Sequence, residues 1–256
     1  MLVLIGLGLY DERDITLRGL SEAKSCDVLF SEFYTSTMAG LDVGRLEELI
    51  GKKITVLERS ALEENSKDLL KNAKTQKVGL LVPGDPLIST THVHLRIEAR
   101  RMGIETKVVH SASIHSAAPS SSGLQNYKFG RSATVAIPLE GFVPETPYDV
   151  IRENRKLGLH TLLFLDIKVE GESRVCMSAG EAIRTLLSME EKRGEGVFTQ
   201  DTLCVVLGNV GSPEPVLGAG PAKELLGRNF GPTPHTLIVP GKLHFVEEEY
   251  LDEFGG

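Results

Sequence analysis

The sequence predicts an α/β protein built from two α/β domains, and three observations carry that expectation. Short apolar runs alternate with helix-length amphipathic segments at the spacing of βαβ units. The runs are almost continuously hydrophobic, as strands buried on both faces of a parallel sheet are. A stretch of small and polar residues, Ser111–Gly123, then breaks the rhythm, so residues 1–110 and 111–256 are expected to fold as an N-terminal and a C-terminal α/β domain.

Each element follows from its local pattern. Val3–Leu7 reads as a buried strand, and Asp14–Thr16 opens a helix with Leu17, Leu20 and Ala23 inward and Asp14 or Thr16 as cap. Val28–Phe30 is a strand, Arg45–Ile50 a helix stopped by Gly51, and Ile54–Leu57 a strand. Leu62–Ala73 is a charged helix carrying Leu69 and Leu70. Val78–Val82, the most apolar strand, breaks at Pro83-Gly84-Asp85-Pro86; a helix over Thr91–Met102 ends at Gly103, and the strand Glu105–Val109 closes the set.

The second half is more mixed. Strands are expected at Ala133–Ile137, Thr161–Leu165, Leu203–Leu207 and Thr236–Val239. Helices are expected at Tyr148–Leu157, at Ser178–Lys192 with Ala182, Ile183, Leu186 and Leu187 inward, and at Pro221–Leu226. Pro138–Pro147 is a loop, Ser111–Gly123 a linker, and Glu247–Glu253 an acidic tail.

Composition removes several functional classes. With 28 basic against 35 acidic residues, a net charge of −7 lacks the dense cationic surface that nucleic acid demands. Cys26, Cys176 and Cys204 are odd in number and form no CxxC pair, which disfavours a disulfide scaffold or zinc site and suits a reducing cytoplasm. Met1–Leu9 is apolar but lacks a basic leader and runs directly into Asp11–Asp14, unlike a signal peptide. No stretch reaches the roughly 20 apolar residues of a membrane helix. A soluble cytoplasmic protein, with no membrane or nucleic-acid partner, is expected.

The chemical signals are sparse. Gly6-Leu7-Gly8 follows a strand, but the glycine of a dinucleotide loop is replaced by Asp11, and the acidic cluster would repel a pyrophosphate. These glycines read instead as a tight strand-end turn. No GxxxxGK[ST] loop or GxSxG elbow occurs. Asp85 stands at a strand's carboxyl end, where α/β sheets collect ligands; it could accept from ribose hydroxyls or pair with a cation, or it could be a solvated turn residue. His92 and His94 are two apart on one helix and cannot share a face, so no metal site is expected. Asp166, Glu170 and Glu172 read as solvated charges after a strand. The residues thus point to chemistry without metal or protein nucleophile, with a bound cofactor as the leading reading.

Ile5–Thr16 (IGLGLYDERDIT), Glu32–Ser36 (EFYTS), Pro83–Leu87 (PGDPL), Ser89–His92 (STTH), Ser113–Ala117 (SIHSA), Gly123–Gly130 (GLQNYKFG), Leu159–Lys168 (LHTLLFLDIK) and Pro234–His244 (PHTLIVPGKLH) run in order through the chain. Together they resemble the diphthine synthase family of tetrapyrrole-methylase-like (class III) methyltransferases. The short GLG and PGDP pieces belong to the wider superfamily, while GLGLYDERD, GLQ-x-YKFG and HTLLFLDIK together are specific to this family. Ala118–Ser122 departs from it, where a more glycine- and valine-rich segment is the rule.

The resemblance implies two α/β domains with a cofactor cleft between them, a homodimer, and S-adenosyl-L-methionine as methyl donor with no metal. It implies successive N-methylation of the amino group of 3-amino-3-carboxypropyl-histidine on translation elongation factor 2, giving diphthine. Eukaryotic relatives also make a methyl ester; an archaeal chain is expected to methylate the amine alone. The implied cofactor contacts are Leu9, Asp85, Ile88, Ser113, Ile114, Leu165, Val210 and His235, the apolar ones enclosing adenine and Asp85, Ser113 and His235 hydrogen bonding. No catalytic residue is expected, because a sulfonium methyl is already activated and the task is to place a neutral amine against it. Two other functions stay open: a tetrapyrrole or corrinoid methyltransferase, and a non-catalytic S-adenosylmethionine-binding module.

Overall fold

Five short segments pair in parallel to form the first sheet; Leu2–Gly6 and Val78–Val82 are buried at every residue, while the edge segments Ile54–Leu57 and Thr106–Val109 are partly exposed. They belong to a computed structural model that describes residues 1–63, 66–138, 143–170 and 173–256. The chain forms two units, Met1–Ile114 and His115–Gly256. Glu172 and part of the Pro138–Pro147 loop lie outside the described residues.

The first unit runs β1 (Leu2–Gly6), α1 (Leu17–Ser25), β2 (Val28–Glu32), α2 (Val43–Ile50), β3 (Ile54–Leu57), α3 (Arg59–Glu63), α4 (Ser66–Thr75), β4 (Val78–Val82), α5 (His92–Arg101) and β5 (Thr106–Val109). The sheet order is β3-β2-β4-β1-β5, all parallel, with Val3 opposite Gly79 and Ile5 opposite Leu81. Side-chain alternation along β1 divides the core: Val3 and Ile5 join Ala23, Leu46 and Ile50 on one face, Leu2 and Leu4 join Leu70, Leu95 and Ala99 on the other.

One expectation changes here. Leu17 is 88% exposed, because the buried face of α1 is set by Gly19 and Ala23 and Leu17 lies around the helix from both. Thr16 caps α1 by accepting the Gly19 N–H at 2.9 Å. The helix expected over Leu62–Ala73 is helical in its described residues, in α3 and α4, with residues 64–65 outside them.

Beyond β5 come α6 (Ile114–Ser122), β6 (Ala133–Val135), α7 (Thr146–Lys156), β7 (Thr161–Leu165), β8 (Ile167–Glu170), β9 (Ser173–Cys176), α8 (Ala179–Arg193), β10 (Leu203–Gly208), β11 (Val216–Pro221), α9 (Ala222–Leu225), β12 (His235–Val239) and α10 (Phe245–Phe254). The second sheet is ordered β11-β10-β12-β7-β6, parallel between β6 and β7 and antiparallel elsewhere, and β8 and β9 form a separate hairpin. Its core gathers Tyr148, Leu163, Ile183, Leu186, Phe198, Val206 and Leu237. Ser178 and Glu181 close a capping box at the start of α8. Among the described residues no helix is long and apolar enough to cross a membrane.

Here the corrections are larger. The expected linker is mostly helix α6, in which Ala118, Pro119 and Ser122 are buried. Its small side chains allow close packing, and Pro119 inside the helix has no N–H for an i→i−4 bond. The β8–β9 hairpin and β11 were not anticipated. Asp166 is not simply solvated: its Oδ2 accepts the Ile137 N–H at 2.9 Å.

The acidic tail is helix α10, and Glu247 within it is fully buried. Burial alone would raise this carboxyl's pKa. The Lys128 ammonium, the main-chain N–H of Gln125 at 2.8 Å and that of His244 at 2.7 Å outweigh burial and bring it from 4.5 to about 2. His160, kept neutral by burial, accepts from Gly241 N–H on Nδ1 at 3.0 Å, so its Nε2–H donates to Glu247 at 3.1 Å.

Glu247→Ala strands these donors and is expected to cost about 3 kcal/mol in urea unfolding of the full chain. Because the folded-state pKa is depressed, Glu247's contribution is complete above about pH 4.5 and is lost as pH falls through about 2. An Ala variant as stable as the parent would show that the cluster contributes nothing.

Candidate functional site

At the carboxyl ends of β1 and β4 the first sheet has its topological switch point. The connection from β1 through α1 passes β4 to reach β2, while the one from β4 through α5 passes β1 to reach β5. Ligands in open α/β sheets bind where connections diverge in this way. Here the two following loops are laced together: Gly84 N–H donates to Gly8 O at 2.7 Å, and Gly8 N–H to Gly84 O at 3.4 Å.

Glycine is required for that approach. A Cβ on Gly6 would stand 2.6 Å from Gly84 O and 2.7 Å from Ser111 Cβ. Gly8 adopts φ +96°, and a Cβ there would meet Asp14 Cβ at 2.4 Å. Asp14, in turn, accepts the N–H groups of Leu9 at 3.1 Å and Tyr10 at 2.6 Å, fixing the loop that carries Leu9. Asp14 is therefore a loop anchor rather than the helix cap.

Asp85, read from sequence as a ligand or a solvated turn residue, is buried. Its Oδ1 accepts the Leu87 N–H at 3.0 Å, and its Oδ2 lies 2.7 Å from Nδ1 of His110, just past β5. Ile88 continues this loop, 41% exposed, and its N–H donates to Asp85 O at 3.3 Å. Ser113 is buried beside Gly84, its Cβ 3.8 Å from where a Cβ on that glycine would stand, and Ile114 follows half-buried at the start of α6. Leu9, Asp85, Ile88 and Ser113 thus lie on the loops at the carboxyl end of the first sheet, and Ile114 is the first residue of α6. Beneath them, buried His92 engages Pro86 O through Nδ1 at 3.0 Å, and Glu32 accepts the N–H groups of Tyr34 and Thr35, both at 3.1 Å. His92 supports the PGDP loop.

The other three residues belong to the second unit. Leu165 ends β7, half-buried against the core. Val210 follows β10 in a turn where Asn209 takes φ +52° and holds a buried Oδ1 without a hydrogen-bond partner. His235 opens β12 with both ring nitrogens engaged: Nδ1 accepts the Ala179 N–H at 3.2 Å, and Nε2 reaches Gly231 O at 3.0 Å. Burial lowers its pKa, the Gly231 and Pro232 carbonyls notwithstanding, and keeps the ring neutral. Its side chain pins α8 and the loop before β12, so the ring hydrogen bond expected for a ligand is already committed within the fold.

His110, Asn209 and Asp14 were not singled out as site residues from sequence. None has a spacing signal; each matters through a partner supplied by another loop or strand. Among the described residues, no group of three or more His, Cys, Asp or Glu is placed to hold a metal. A cavity of about 250 Å³ beside β9 and α8, lined by Ile137, Met177, Glu181 and Arg184, holds none of the expected contacts.

Comparison with known proteins adds a family. Residues 1–225 match the model for Tetrapyrrole (Corrin/Porphyrin) Methylases. The chain is 45% identical over 251 residues to a protein of Methanocaldococcus jannaschii named diphthine synthase, covering 98% of this chain and 97% of the relative. It is 46% identical to the Methanocella arvoryzae protein of the same name, covering 100% and 98%. A solved crystal structure of diphthine synthase superposes with a TM-score of 0.89 at 39% identity, covering 99% of this chain and 95% of that one.

The contact at Gly6 yields a direct expectation. Gly6→Ala should force β1 from the Gly84 loop and cost about 1–3 kcal/mol, read from the urea midpoint of the full chain. A midpoint equal to that of the parent would show the approach to be loose.

Proposed function

The chain belongs to the tetrapyrrole (corrin/porphyrin) methylase family and is a methyltransferase of its diphthine synthase branch; on that premise we propose that it N-methylates the amino group of 3-amino-3-carboxypropyl-histidine on translation elongation factor 2, in successive steps, to give diphthine. The reading is carried by full-length similarity to diphthine synthases, joined to a glycine-laced switch point at the head of the first sheet.

S-adenosyl-L-methionine is the methyl donor of this reading, and it supplies a methyl group activated on a sulfonium sulfur. The residues fit such a group. Asn209 presents a buried acceptor without a partner, and a Cβ on Gly84 would meet nothing nearer than Ser113 at 3.8 Å. The proposed contacts are Leu9, Asp85, Ile88, Ser113 and Ile114 from the first unit and Leu165, Val210 and His235 from the second. Leu9, Ile88, Ile114, Leu165 and Val210 bring apolar surface that excludes water. His235, with its ring committed, contributes through its setting of the β12 entrance.

The chain's main task is then placement. Holding an amine in line with a methyl carbon converts an encounter into an intramolecular event of large effective molarity. Apolar surroundings also favour the neutral, nucleophilic form of the amine. The remaining parts of the reading are a homodimer working in the cytoplasm, with acidic surface residues meeting basic regions of the factor. A tetrapyrrole substrate, a polyanion, would want arginines at the switch point. Arg96, Arg100 and Arg101 lie instead on α5, whose last turn is at the opposite, amino-terminal edge of the sheet.

Intact-mass analysis of elongation factor 2 bearing the aminocarboxypropyl histidine, incubated with this protein and S-adenosylmethionine, should show gains in single-methyl steps. A fourth methyl would reveal an ester; no gain, with methylation of a tetrapyrrole instead, would overturn the assignment. Asp85→Ala should weaken cofactor binding about tenfold or more by calorimetry. Unchanged affinity would remove Asp85 from the contacts.

A further inference from the structure

We propose that His110, oriented by Asp85, is the proton acceptor of this transfer, a role that rests on the methyltransferase reading above. Nδ1 of His110 lies 2.7 Å from Asp85 Oδ2. A carboxylate oxygen at that distance accepts a hydrogen bond, so Nδ1 carries the ring proton. The lone pair of the neutral imidazole is therefore on Nε2.

The two partners differ in the way an orienting group and a base should. The Asp85 side chain is 8% exposed and held from its other oxygen by the Leu87 amide. The His110 side chain is 72% exposed. One end of the ring is anchored, and the other is open to a substrate at the head of β5, the strand next to β1. A nitrogen base positioned by a buried carboxylate is the arrangement of general-base catalysis. Of the acidic residues in the neighbouring β1 loop, Asp11 pairs with Arg13, Glu12 pairs with Arg45, and Asp14 has its carboxylate turned to the Leu9 and Tyr10 amides, only its main-chain carbonyl reaching Ser111, at 3.5 Å.

The proton balance closes without another reactant. The substrate ammonium gives one proton to Nε2 and retains the N–H electron pair as its lone pair. The imidazolium passes that proton to water and returns to the Nδ1–H form. Conversion of a primary ammonium to a trimethylammonium requires this three times, once before each methyl. Desolvation favours the neutral amine but does not carry the proton away; His110 does.

Two measurements test the role. In the full-length protein, ¹⁵N imidazole shifts should place the proton of the neutral ring on Nδ1; a neutral ring with its proton on Nε2 would overturn the proposal, since that nitrogen could accept nothing. In the mass assay, His110→Gln keeps an N–H for Asp85 but loses the base. It should lower kcat/KM about 100-fold, with cofactor affinity by calorimetry within about twofold of the parent. His110→Ala should regain rate in proportion to added imidazole, which a structural defect would not do. A His110→Gln variant as active as the parent, or no rescue by imidazole, would eliminate His110 while leaving the function standing. An inactive parent would eliminate both.

Discussion

Everything at the head of the first sheet depends on how closely the backbone approaches itself at Gly6. Parallel pairing brings the end of β1 beside the end of β4, and the absence of a side chain on Gly6 lets the Gly84 carbonyl sit where a Cβ would be. From that contact follow the reciprocal bonds of Gly8 and Gly84 and the exit of the PGDP loop over the sheet. Asp14 then holds the Leu9 and Tyr10 amides, and Asp85 holds Leu87 and His110. Main-chain groups become a fixed surface because the Asp14 and Asp85 carboxylates hold their N–H groups in place. Preorganisation of this kind is what a proximity-driven reaction requires.

The chemistry of methyl transfer divides the work between cofactor and protein. An activated methyl removes any need for a protein nucleophile or a metal, leaving alignment and proton traffic. In the proposed site the apolar contacts would address the first, and the Asp85–His110 pair the second. Asp85 would then stand between the two tasks: its loop carries proposed cofactor contacts, and its carboxylate sets the tautomer of the imidazole that follows a neighbouring strand.

Buried carboxylates recur as organisers in both units. Glu32 gathers the amides that follow β2, and Glu247 collects an ammonium, two amides and an imidazole around α10. Each is hydrogen bonded inside the protein, where donors replace the water that it lost. The motifs around Lys128, His160 and His244 are thus bound to one carboxylate near the end of the chain.

The readable parts of the fold were those set by local composition. Ile54–Leu57, Val78–Val82 and Thr161–Leu165 are strands at the expected residues because their apolar, β-branched runs can do little else. Val216–Pro221, rich in glycine, becomes a strand only through antiparallel pairing with β10, and Ser111–Gly123 hides a helix because its small residues lack an amphipathic stripe. Site residues divide in the same way. Asp85 was legible from the proline–glycine turn at a strand's carboxyl end. Its pairing with His110, 25 residues on, and the engagement of His235 by Ala179, 56 residues away, were not. Local sequence determined the alternation, the turns and the family motifs, since those depend on neighbours in the chain. Tertiary structure alone decided which carboxylates are buried, which tautomer each histidine keeps and which donors remain for a ligand, because those depend on partners that only the fold brings within hydrogen-bonding distance.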